Sequence, residues 1–153
     1  MSPNRKQKIV FYVSIVWVLV IFSNSLLPGD LSSAQSGFVV NMVKGFFSIF
    51  GVSFNEDVLS SLIRSLAHLT EFGILGFLWM LYISGFEKER GYVIVWVSGF
   101  GIALLDEIIQ IVVPGRAFQL SDLLIDLSGI ILGSLIVIIF PFIGKSLVET
   151  KKS

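Results

Sequence analysis

Apolar residues dominate four stretches of the chain, at residues 9–27, 66–83, 92–113 and 120–140. Each approaches the roughly 20 mostly apolar residues that a helix needs to cross the hydrocarbon core. Breaks separate them where a helix is disfavoured. Pro28-Gly29-Asp30 ends the first run, Pro114-Gly115 the third and Pro141 the fourth, because Pro and Gly oppose helix continuation. Ahead of the second run, Asn55 reads as an N-cap with Glu56 and Asp57 in the first turn, so that helix is expected to begin near residue 55. Irregular backbone cannot face lipid, so helices are the economical structure for all four runs.

Residues 38–54 follow a different pattern. Asn41, Lys44 and Ser48 share one helical stripe, while Phe38, Met42, Phe46, Ile49 and Phe50 crowd the opposite side. This segment is too short and too interrupted for a fifth span. It reads as an amphipathic helix lying in the membrane interface between spans one and two. The expected fold class is therefore an all-α membrane protein of four transmembrane helices plus one interfacial helix. Residues 1–153 form one domain, with no soluble domain, low-complexity tract or internal repeat.

Composition sharpens this reading. Of 153 residues, 54% are hydrophobic and 14% charged, against about 25% charged in ordinary soluble domains. A soluble fold of this size would leave too much apolar surface in water. Eleven basic and eleven acidic side chains cancel, so no net field attracts nucleic acid. No cysteine is present, which excludes disulfides, thiolate metal sites and a cysteine nucleophile.

The distribution of Lys and Arg predicts orientation. Arg5, Lys6, Lys8, Lys88, Arg90, Lys145, Lys151 and Lys152 fall on the side of the termini, and Lys44, Arg64 and Arg116 on the other. Cytoplasmic N- and C-termini follow from that bias. Trp79, Tyr82, Tyr92 and Trp96 flank the inner loop and suit an interfacial belt. A basic start, an apolar run and Ser32-Ser33-Ala34 also fit a cleaved signal peptide, but the run lies near the upper length for one, which favours a retained span.

Charged side chains within the spans carry the chemistry. Each costs about 2.5–3.5 kcal/mol at a helix centre, even on lenient scales, unless it finds a partner. His68, the only histidine, and Glu71 lie toward the outer end of span two. Asp106, Glu107 and Gln110 lie toward the outer end of span three, Asp122 and Asp126 toward that of span four, and Arg116 in the turn between them. Three helices thus bring polar groups to one membrane level. Arg64, His68 and Glu71 are spaced i, i+4 and i+7 on one stripe. Asp122, Asp126, Gly129 and Gly133 continue a stripe on span four, and Gly129 and Gly133 form a GxxxG pattern that permits close helix approach. Gly73, Gly76, Gly99 and Gly101 are candidate contact points of the same kind.

The run from Arg64 through His68, Glu71 and Gly73, followed by Asp106-Glu107-Ile108-Ile109-Gln110, Pro114-Gly115-Arg116, Asp122, Asp126, Gly129 and Gly133, resembles the VanZ-like family. The Ser-Leu-Leu-Pro-Gly-Asp stretch after span one is similar as well. The likeness covers nearly the whole chain, and its ordered DE-x-x-Q, PGR, D-x-x-x-D series is specific. Three positions depart from the family pattern. Ser65 stands where a basic residue is frequent, Leu69 where an aromatic usually follows the histidine, and Phe72 where Tyr is common. The resemblance implies a multi-pass protein of the bacterial cell membrane, in a family associated with teicoplanin resistance.

Three functions fit these residues. In the first, His68, Glu71, Asp106 and Glu107 serve catalysis, while Arg64, Gln110, Arg116, Asp122 and Asp126 hold a ligand. A phosphate-bearing or lipid-linked cell-wall precursor suits such an outer pocket, and the acids suit a divalent cation such as Mg²⁺ or Mn²⁺. His68-x-x-Glu71 without a second histidine is poor support for zinc. In the second, the same groups form a structural ion-pair network in an accessory partner of a cell-wall enzyme. In the third, they carry protons or ions, although the apolar inner half offers no relay.

Overall fold

The computed structural model describes residues 4–51, 53–84, 91–140 and 143, and these are all-helical with no strand among them. Five helices follow in order: α1 (Arg5–Ser25), α2 (Gly29–Ser48), α3 (Glu56–Ile83), α4 (Gly91–Ile111) and α5 (Leu120–Ile139). Four of them, α1, α3, α4 and α5, are long and apolar enough to cross a membrane. The positive-inside argument draws on Lys88, Arg90, Lys145, Lys151 and Lys152, and the span-four stop on Pro141; all lie outside the described residues.

Local chemistry explains the helix ends. Asn4 caps α1 through a reciprocal box with Gln7, each side chain bonding the other's backbone N–H at 2.9 and 2.8 Å. The Asn55 carboxamide accepts from Asp57 and Val58 N–H, which starts α3 where the cap pattern places it. The amphipathic helix is the main correction. It runs over Gly29–Ser48, not 38–54. Pro28 stops α1, but it also precedes α2 directly, and the polar first turns from Ser32 to Ser36 belong to the same helix. Of the apolar side expected for it, Phe38, Met42 and Phe46 lie on the helix and are exposed, while Ile49 and Phe50, exposed as well, fall just past its end.

The bundle is organised around α3 and α5, which form the most extensive helix pair. They run parallel, because both begin at the end of the bundle that carries the Pro-Gly turns. Small residues let their backbones touch. A Cβ on Gly133 would lie 1.8 Å from the Gly73 carbonyl oxygen, and one on Gly76 would lie 2.3 Å from that of Ile130. Gly99 of α4 accommodates the Ile130 side chain. Gly101 meets no neighbour within 4 Å, so it is not a helix contact point. A core of Ile21, Phe72, Leu75, Val95, Ala103 and Ile130 fills the centre. Trp17 and Trp96 are tied into the helix contacts, donating to the Glu71 carbonyl at 2.9 Å and to Ser134 Oγ at 3.0 Å.

At one end, two turns dock. The Gly29 N–H donates to the Pro114 carbonyl at 3.0 Å, and a Cβ on Gly29 would lie 2.3 Å from the Gly115 oxygen. Gly115 itself has φ +75°, a conformation that glycine adopts without strain. Lys44 near the C-terminus of α2 pairs with Glu56 at the start of α3.

Substituting Gly133 by Ala forces α3 and α5 apart and costs about 1–3 kcal/mol. The thermal unfolding midpoint of detergent-purified protein is expected to fall for Gly133→Ala and to hold for Gly101→Ala.

Candidate functional site

The docked turns, the first half of α3 and the adjoining ends of α1, α4 and α5 enclose the polar groups. Parallel α3 and α5 bring them into register with a constant separation along the chain. Arg64 donates to Asp122 Oδ2 at 2.9 Å, and His68 Nδ1 lies 3.0 Å from Asp126 Oδ1; both pairs are 58 residues apart. The i, i+4 spacing on α3 therefore meets the i, i+4 spacing on α5. One helical turn, about 6 Å, separates the upper pair from the lower. His68 Nε2 also stands 3.9 Å from Asp122 Oδ2.

Helix α4 supplies the third wall. Asp106, Glu107 and Gln110 are all buried, at 1%, 0% and 0% exposure. Gln110 bridges two helices: its amide donates to Asp106 Oδ2 at 3.0 Å, and its oxygen accepts from Arg64 at 3.3 Å. Glu107 turns toward the start of α5, where its Oε2 accepts the Gln119 N–H at 2.7 Å. That bond serves an N–H at the helix start that has no intrahelical partner.

Helix α1 joins the site through residues that the sequence reading passed over. Asn24 donates to Glu71 Oε1 at 2.7 Å, and Ser25 donates to Asp106 Oδ1. Glu71 shares a stripe with Arg64 and His68 in sequence, yet it faces α1 while they face α5. The Ser23-Asn24-Ser25 break in an apolar run was the available signal, since polar groups at the depth of His68 need partners as much as the acids do. Helix α2 contributes Ser32, whose Oγ accepts from Arg116 at 2.6 Å.

Two adjoining cavities open here. One, of about 200 Å³, is lined by Asn24, Gln35, Arg64, His68, Glu71 and Arg116 among others. The second, of about 400 Å³, is walled by serine hydroxyls, Gln119 and the carboxylates of Asp57 and Asp122, with Arg64, Arg116, Ser32 and Ser36 shared between the two. Arg64 and Arg116 each keep a buried Nε without a partner among the described residues. Burial lowers the Arg116 pKa from its ordinary value, and the Arg64 charge pushes it the same way. An anion between the two guanidiniums would relieve both effects. Glu107 Oε1 and Asp126 Oδ2 are also buried, with no partner among the described residues.

The structure thus brings Arg64, His68, Asp106, Gln110, Asp122 and Asp126 into one network. Arg116 joins through the cavity wall, Glu71 through α1, and Glu107 through Gln119.

Removing one member of the Arg64–Asp122 pair strands the other. Breaking such buried pairs costs about 3–5 kcal/mol, and the 33% exposure of the Arg64 side chain places this one at the lower end. Arg64→Met is expected to destabilise by about 3 kcal/mol, and Arg64→Met/Asp122→Leu to recover most of that loss. A double-mutant cycle of thermal unfolding measures the coupling.

No curated protein and no solved structure matches the chain. The VanZ/LLP1 family model matches residues 9–141. Within that span lie α3, α4, α5, α1 from Ile9 onward and every residue of the polar network, and the chain belongs to the VanZ/LLP1 family.

Proposed function

We propose that this multi-pass VanZ-family protein binds the phosphate-bearing headgroup of a cell-envelope lipid at the outer leaflet of a bacterial cell membrane. The observation that carries the reading is the pair of guanidiniums, Arg64 and Arg116, shared by two adjoining cavities and each with a buried, unpartnered Nε. Guanidinium groups bind phosphate through parallel charge-assisted hydrogen bonds. Ser32, Ser36, Ser60, Ser61, Ser65 and Ser121 surround the larger cavity and offer hydroxyls to a glycan or polyol attached to that phosphate. A lipid-linked cell-wall precursor has this chemistry, which agrees with the family's association with a glycopeptide antibiotic.

Binding is favoured over catalysis because the groups assigned to chemistry already bond their neighbours. Glu71 accepts from Asn24, Asp106 from Ser25 and Gln110, and Glu107 from the Gln119 backbone. They position the Arg-lined cavity and balance its charge. A cell-wall enzyme is the partner class of the same reading, reached through the bound lipid.

Native mass spectrometry of protein purified with polyprenyl phosphate tests the binding. Arg116→Gln is expected to reduce lipid retention by about tenfold, the loss of roughly 1.4 kcal/mol from one charge-assisted contact. Equal retention by wild type and Arg116→Gln sinks the reading.

Orientation has its own test, made clean by the lack of native cysteine. A membrane-impermeant maleimide is expected to label Ser53→Cys in intact cells and Ser84→Cys only after permeabilisation. The opposite pattern would place the cavities on the cytoplasmic side.

A further inference from the structure

We propose that His68, Asp106 and Asp126 form a binding site for one divalent transition-metal cation, Mn²⁺ or Zn²⁺. The three residues come from α3, α4 and α5, and each presents one ligand atom; these atoms lie within 4.8 Å of one another. Ligands on a tetrahedral ion at about 2.1 Å stand about 3.4 Å apart, so the three atoms draw together by up to about 1.4 Å to close on one metal.

A second observation points to a ligand. Asp126 is 0% exposed, and its Oδ2 has no partner among the described residues. A buried carboxylate oxygen in an apolar bundle demands a hydrogen bond, a cation or a proton. The other carboxylate of the set is already oriented. Ser25 donates to one oxygen of Asp106 and Gln110 to the other, the outer-shell support that metal-binding carboxylates require. His68 lines the smaller cavity, which supplies an entry path.

Charge supports the same assignment. Five carboxylates face this end of the bundle, from Glu71, Asp106, Glu107, Asp122 and Asp126, against the guanidiniums of Arg64 and Arg116 and the His68 imidazole. With the imidazole neutral, as metal ligation requires, the carboxylates outnumber the guanidiniums by three, and a divalent cation cancels two of those formal charges. Imidazole favours late first-row metals and carboxylates favour harder ones, so a mixed set with one imidazole suits Mn²⁺ or Zn²⁺ better than Mg²⁺. The ligands differ from the His68-x-x-Glu71 pair that sequence spacing alone would nominate: Glu71 faces α1, and Asp106 and Asp126, within reach of His68, take its place.

This reading does not depend on headgroup binding, because it is measured without any lipid ligand beyond phosphatidylcholine. Full-length protein in phosphatidylcholine nanodiscs is stripped with EDTA, dialysed against MnCl₂ or ZnCl₂, and analysed for metal by mass spectrometry. About one equivalent per chain is expected for wild type and for Glu71→Gln, with affinity at least roughly tenfold lower for Asp106→Asn and Asp126→Asn. Wild-type protein without bound metal overturns the proposal, and so does equal binding by both aspartate variants, which marks diffuse attraction to acids. Where the variants fail to insert, wild type decides: either Mn²⁺ or Zn²⁺ is expected to raise its unfolding midpoint and EDTA to reverse the rise, and no rise with either metal overturns the site.

Discussion

Ionisable side chains placed within membrane helices must be neutralised by one another, and this requirement governs the bundle. Lipid offers neither water nor counterions, so an unpaired carboxylate at the depth of Asp126 would oppose insertion. The chain meets part of this demand with two parallel helices whose charged residues share one spacing. Arg64 meets Asp122 and His68 meets Asp126 at the same separation along the chain. The remaining contacts extend these two pairs. Gln110 links them to α4, and Asn24 and Ser25 link them to α1.

Close packing makes this electrostatic arrangement possible. The polar ends of α3 and α5 can meet because the helices touch backbone to backbone lower down, at Gly73, Gly76, Gly129 and Gly133. Hydrophobic exclusion does not drive helices together in lipid, so contact area and interhelical hydrogen bonds must do so. The glycines and the charged pairs occupy different levels of one interface. The first allows the approach and the second selects the alignment.

Much of this was readable in the sequence, for identifiable reasons. Apolar run length marks the spans, the Asn55 cap marks the start of α3, and the cost of burying charge places the acids together. The beginning of α2 was hidden because Pro28 signals a stop for α1 as strongly as it precedes a new helix, and because Ser32 to Ser36 shows no apolar face. Asn24 and Ser25 were visible as a polar break, but their partners lie 47 and 81 positions away, on α3 and α4. Glu71 illustrates the limit of stripe arguments: i, i+4, i+7 spacing spreads the three side chains over about 60°, and α1 and α5 border that face on opposite sides. The docking of Gly29 on Gly115 joins two breaks that sequence reads as unrelated.

The equal spacing of the two α3–α5 pairs has a mechanical consequence. A slip of α5 by one turn along α3 would set His68 against Ile130 or leave Arg64 facing the loop before Leu120, stranding a carboxylate in either direction. The glycine contacts would clash in the same movement. This interface therefore has discrete detents and no continuum of offsets. Any breathing of the polar end therefore falls outside the central pair, to α1 and α2, which meet it through Asn24, Ser25, Ser32 and the Gly29 backbone.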